Sequence, residues 1–304
     1  MKRHITTLLL ILIFLAGLSL VLYPSFSNWW NSFHSSKAIS DYADLVATLE
    51  DDQYDELWAE AVTYNRNRLV QGGSFITTPE QQAQYPKLLN VGGDGIMGYI
   101  EIPSIDVSLP IYHGTSEGVL QVAVGHLDWS SLPVGGESTH CVLSGHRGLP
   151  SARLFTDLDD LRTGDLFTIR VLGELMTYEV DKILIVEPHE VSALKVEEGM
   201  DLCTLVTCTP YGVNSHRLLV RGHRVENTPE TLIARVTANA IQIDPLITAV
   251  VVAIPMVVVS ITLLVTTSGK KNKKKVTRKK VTITHTPSIY TPPPEREENS
   301  EDTG

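Results

Sequence analysis

Two stretches of the chain are apolar and uncharged: residues 5–23 (ITTLLLILIFLAGLSLVLY) and 246–265 (LITAVVVAIPMVVVSITLLV). Each is close to the ~20 residues that cross a hydrocarbon core, and Pro255 inside the second is tolerable in lipid. Between them the periodicity changes. Ile39, Tyr42, Ala43, Val46 and Leu49, then Tyr54, Leu57, Trp58, Ala61 and Leu69, recur at helical spacing. Asp51 and Asp52 separate the two predicted helices and can cap the second, which Gly72 and Gly73 end. Both helices are expected to pack against a sheet. Residues 73–95 are rich in Gly, Gln, Thr and Pro and predict a lid-like loop. From Ile96 onward short β-type runs dominate: IMGYIEI, VSLPIY, HCVLS, LFTIRVL, MTYEVDKILIV, LCTLVTC and RLLVRGHRV. Short strands punctuated by Gly, Pro and Asp predict a mostly β domain, a barrel or sandwich, over 96–228. A short helix is expected at 151–161, with Ser151 as cap and Gly164 as terminator, and a helical connector over 229–245.

Charge sharpens this division. Of 304 residues, 20% are charged and the net charge is −10. Residues 24–245 carry a net −16, whereas residues 269–304 carry +4. An acidic central domain excludes nucleic acid as the expected partner, because phosphate binding needs a basic face. The block GKKNKKKVTRKK after the second apolar run is a positive-inside signal, and Lys2 and Arg3 give the same signal before the first. The predicted topology has two spans, both termini cytoplasmic and residues 24–245 outside the cell. No A-x-A-like cleavage site follows residue 23, so the first span is read as an anchor. The tail over 266–304 is basic, then rich in Pro and Glu, and is expected to be disordered.

The three cysteines are too few for a disulfide framework. A thiol nucleophile needs a base or cation nearby to populate its thiolate. Cys208 ends the apolar run in LVTCTPYG; Pro210 and Gly212 break the strand behind it, leaving the thiol beside a loop. Cys203 faces the other side of a regular strand, and Cys141 lies inside another apolar run as a small buried hydrophobe. His146 follows a β-run in VLSGHRGLP, flanked by Gly145 and Gly148. Arg217 begins the strand after Cys208, so a hairpin through 209–216 brings it back to the thiol. An always-charged guanidinium suits a developing oxyanion. Taken singly, each of these residues is more often structural than catalytic. His126 is expected to be structural, and His216 and His223 solvated. A zinc site at Cys203 and Cys208 is set aside, because alternation points the thiols apart and their spacing fits no zinc pattern.

Three segments carry a family resemblance: 143–148 (LSGHRG), 204–212 (TLVTCTPYG) and 214–221 (NSHRLLVR). They resemble the His, TLxTC and Arg motifs of sortases. TCTPYG, together with the second span and basic tail, is similar to class C, the pilus-specific sortases of Gram-positive bacteria. The resemblance implies a sortase-like closed β-barrel with N-terminal helices and short connecting helices, flanked by two transmembrane helices. It implies Cys208 as nucleophile, His146 as acid/base and Arg217 as transition-state stabiliser, with Thr207 and Thr209 at the substrate or oxyanion site. It further implies a cysteine transpeptidase that cleaves an LPxTG-like sorting signal between Thr and Gly and passes the acyl group to a pilin lysine. No metal or organic cofactor is required. Alternatives are a housekeeping sortase using a cell-wall precursor, a hydrolytic cysteine protease and a non-enzymatic assembly module. Residues 66–98 lack the Asp-Pro-aromatic lid tripeptide of many class C members; the nearest segment is 77–82 (TTPEQQ).

Overall fold

A computed structural model of the chain describes residues 2–70 and 75–227. The predicted connector at 229–245, the second span at 246–265 and the tail at 266–304 lie outside the described residues. Four helices precede or interrupt the strands: α1 (Lys2–Val46), α2 (Asp51–Val70), α3 (Pro79–Gln84) and α4 (Glu117–Leu120). The strands are β1 (Ile96–Ile102), β2 (Val107–His113), β3 (Val124–His126), β4 (Thr139–Ser144), β5 (Leu166–Val171), β6 (Glu174–Val186), β7 (Asp201–Thr209) and β8 (His216–Val225). They close into a barrel in the order β1-β2-β3-β4-β7-β8-β6-β5. Closure removes the free strand edges that an open sheet would expose.

The barrel interior is filled by large apolar side chains. Ile100, Ile111, Leu143, Phe155, Phe167 and Leu205 have no exposed surface. β7 is buried along nearly its whole length, which explains its continuous apolar run. On the inward face Cys203 and Leu205 join the main core. On the outward face Val206 joins a second cluster with Val142, Leu194 and Leu219, covered by Phe75, Trp129 and Val191.

α1 passes through Pro24 without interruption and is long and apolar enough to cross a membrane. Its C-terminal end is pinned to the barrel. The Tyr42 hydroxyl donates to Met97 O at 2.9 Å and accepts from Leu172 N at 2.9 Å. α2 packs through Ala61 and Tyr64, while Leu69, an expected core position, is exposed at its end.

Two expectations change. The segment over 73–95 is more ordered than a simple loop. Thr78 and Gln81 form a reciprocal capping box with Pro79 in the first turn of α3. Tyr85, Leu88 and Leu89 behind it are buried in the core. The helix expected at 151–161 is instead a series of turns with one 3₁₀ turn at Leu158–Asp160. Leu154 takes a positive φ of 43°, which a helix cannot accommodate, and the Phe155 amide is drawn out of register to His146 O at 3.1 Å.

Candidate active site

Strand direction assembles the site. β4 and β7 are parallel, so their C-terminal ends lie at the same end of the barrel. β8 is antiparallel to β7 and begins at that end, where Cys208 and Arg217 are direct register partners. His146 lies two residues beyond the end of β4. Gly145 N donates to Val206 O at 3.1 Å, and the Thr207 hydroxyl donates to Gly145 O at 2.8 Å. The residue before His146 is thus clamped to the residues before Cys208. Thr209, paired with His216 across the ladder, is buried.

Gly145 is required by packing. A Cβ there would stand 2.7 Å from the Phe155 ring. At Gly148, φ is +78° and a Cβ would meet the Tyr211 ring at 2.9 Å. The His146 side chain is 28% exposed, and its Nε2 lies 3.9 Å from Glu117 Oε2 of α4. Arg217 is half-buried, and its Nη1 donates to His216 O at 3.1 Å and Asn214 O at 3.3 Å. Cys208 is partly exposed, whereas Cys141 and Cys203 are buried side by side across β4 and β7. Burial pushes the Cys203 thiol well above its ordinary range, which suppresses its thiolate. Cys208 is the accessible thiol.

The outward face of β4, β7, β8 and β6 carries the second apolar cluster, on the strand that ends at Cys208. Val206, Leu219 and Leu184 take successive register positions there. Phe75 lies over it, edge-on to Trp129 with ring centroids 5.0 Å apart. Further along β8 Arg221 holds Asp181 and Glu197. Cys208 and Arg217 stand opposite one another across β7 and β8.

The other histidines are structural. His126 is fully buried; its Nδ1 accepts from the Tyr85 hydroxyl at 2.9 Å and its Nε2 donates to Ser131 O at 2.8 Å. His140 bonds Thr204 Oγ1 at 2.7 Å and Lys195 O at 2.8 Å. Burial holds its imidazole below the ordinary range, which favours the neutral form. His216 is exposed, as expected, while His223 is half-buried. No group of three potential metal ligands occurs among the described residues. Sequence reading missed Phe75 and Glu117, whose places depend on contacts remote in sequence.

Known proteins share this fold. The Sortase domain family model matches residues 100–225. The crystal structure of sortase C1 from Streptococcus agalactiae is 51% identical, with a TM-score of 0.62 over 63% of this chain and 100% of that chain. This chain belongs to the sortase family. A Clostridium perfringens sortase C, solved with the C-terminal cell wall sorting motif, is 40% identical with a TM-score of 0.57, over 64% of this chain and 100% of that one. The curated sortase D of Bacillus subtilis is 33% identical over 131 residues, which are 42% of this chain and 63% of that protein. The fold is therefore the sortase barrel, its family is one of cysteine transpeptidases, and its structural neighbours include class C sortases.

Proposed function

We propose that this sortase is a pilus-polymerising transpeptidase working through Cys208, His146 and Arg217. The observation that carries the reading is the register pairing of Cys208 with Arg217 at the barrel end that the β4–His146 segment also reaches. The Cys208 thiolate attacks the Thr–Gly carbonyl of an LPxTG-like sorting signal. Arg217 stabilises the oxyanion, a role worth about 3 kcal/mol for one good donor. The tetrahedral intermediate collapses as the C–N bond breaks, and His146 gives its proton to the leaving glycine amine. The acyl group remains as a thioester on Cys208. A pilin lysine amine then attacks, His146 takes back a proton, and an isopeptide bond replaces the thioester. Thr207 and Thr209 flank the nucleophile and shape its surroundings, and the apolar outward face of β7 and β8 receives the Leu-Pro portion of the signal. The neighbour solved with a sorting motif supports this choice of substrate.

Phe75 acts as the lid, in place of an Asp-Pro-aromatic tripeptide. Residues 1–23 form the first span and 246–265 the second, with both termini cytoplasmic and the barrel outside. This places the thiol where membrane-tethered substrates emerge.

The test is the full chain in detergent with an LPxTG peptide and a lysine-bearing pilin domain. Peptide–lysine conjugation that is lost in Cys208→Ala is expected. Hydrolysis alone with excess acceptor would make the enzyme a protease, and conjugation to a cell-wall precursor alone would make it a housekeeping sortase.

A further inference from the structure

Four aromatic residues in the middle of α1 are unused by the barrel and by the proposed chemistry. Phe26, Trp29, Trp30 and Phe33 recur at i, i+3, i+4 and i+7, so they share one helical face. All four are exposed, at 61%, 45%, 51% and 56%. Phe26–Trp29, Phe26–Trp30 and Trp29–Phe33 lie with ring centroids 5.8, 6.4 and 6.3 Å apart, forming a continuous stripe. The stripe continues directly from the apolar part of α1, where Leu9, Leu10, Leu12, Ile13, Phe14, Leu15, Leu20 and Val21 are exposed and no side chain of the apolar window is buried.

The opposite face of the same turns touches the barrel. Asn28 Oδ1 accepts from Arg153 N at 2.9 Å, Asn31 Nδ2 donates to Ser151 O at 2.7 Å, and Ser35 is buried. The loop they hold is the one tied to His146, through Phe155 N donating to His146 O at 3.1 Å.

We infer that the stripe Phe26–Trp29–Trp30–Phe33 sits in the interfacial layer of a lipid bilayer, and that Asn28 and Asn31 hold the His146 loop at the membrane surface. Tryptophan is enriched where one side of a ring meets apolar chains and its N–H meets water. At about 1.5 Å per residue the stripe rises about 10 Å, comparable to one headgroup layer. A water-facing stripe of this composition would be an exposed apolar patch with nothing to cover it. The bilayer covers it because the same helix enters the bilayer a turn or two earlier. The inference rests on α1 being the anchor and is independent of the roles given to Cys208, His146 and Arg217.

The full chain has four tryptophans, Trp29 and Trp30 in the stripe and Trp58 and Trp129 elsewhere. It is reconstituted into phosphatidylcholine nanodiscs with brominated or plain acyl chains, and tryptophan emission is read without any activity assay. Quenching by bromine that is lost in W29F/W30F is expected. Unquenched emission, or quenching that survives W29F/W30F, overturns the lipid contact; a stripe covered by a second copy would give the former. Cys208, the accessible thiol, is then labelled with a donor dye against an acceptor on the lipid headgroups. N28A/N31A is expected to lower energy transfer while leaving bromine quenching unchanged. Unchanged transfer in that variant overturns the positioning of the loop.

Discussion

The Thr207 hydroxyl donates to the Gly145 carbonyl at 2.8 Å, and this bond joins the strand of Cys208 to the loop of His146. Both residues are buried, so neither group can turn to water. Thr207→Ala leaves the Gly145 carbonyl unpaired, a cost of about 1–3 kcal/mol. It also frees the loop, and a shift of about 1 Å at reacting groups can cost up to 100-fold in rate. Thr207→Ala should therefore lose both melting temperature and kcat, with KM for the sorting peptide little changed. Thr207→Ser keeps the hydroxyl and should recover kcat. Equal loss in the serine variant would show that the methyl, not the bond, is needed.

Further along β8 Arg221 donates to Asp181 through Nε and Nη2 at 3.0 and 2.5 Å, and to Glu197 through Nη1 at 2.5 Å. Burial alone would raise the Asp181 carboxyl, but the hydrogen bonds and charge of Arg221 outweigh it and hold the group below its ordinary 3.8. A depressed carboxyl contributes stability above the unfolded value and loses it as pH falls through the folded one. Arg221→Met should lower stability by about 1–3 kcal/mol at neutral pH. The gap to the parent, followed by thermal melts, should narrow as pH drops below 3.8. A gap that stays constant through acid titration would mean the Asp181 pair contributes nothing.

The strands were legible as short apolar runs cut by Gly, Pro and Asp, and the barrel strands start and end close to those runs. Cys208 was legible as a strand-end thiol because Pro210 and Gly212 break the run behind it. The parallel pairings of β2 with β3 and β4 with β7 were not, because they join segments separated by intervening elements. These pairings bring the His146 segment to the end of the barrel where Cys208 lies. Two local misreadings have different causes. The capping box of Thr78 and Gln81, with Pro79 between them, was visible in the chain but masked by the Gln-rich composition around it. The turns over 151–161 were not legible, since their backbone groups are taken by Asn28, Asn31 and His146, all outside the window that a helix prediction weighs.

Gly145 tests the packing side of the same loop. An added Cβ would fall 2.7 Å from Cδ2 of Phe155, a side chain with no exposed surface and no room to retreat. Gly145→Ala should destabilise the barrel by about 1–3 kcal/mol, the usual scale of overpacking. Gly145→Ala with Phe155→Leu removes the clashing ring edge and should recover part of that loss in thermal melts. If the double variant melts no higher than Gly145→Ala alone, the clash is not the cause.

The lid role proposed for Phe75 is tested by how readily the Cys208 thiol reacts. Its ring lies edge-on to Trp129, and both cover the cluster of Val142, Val206 and Leu219. Val206, in that cluster, is two residues before Cys208 and shares its strand face. Cys141 and Cys203 are buried, so a native chain should alkylate once and a denatured chain three times, which mass spectrometry resolves. Phe75→Ala removes the covering ring without touching the barrel interior. Alkylation of Cys208 by iodoacetamide should then speed up several-fold while the melting temperature moves little. Conjugation of the sorting peptide should rise in parallel if the ring covers the same approach. An unchanged alkylation rate would mean that the ring packs on Trp129 without restricting the nucleophile.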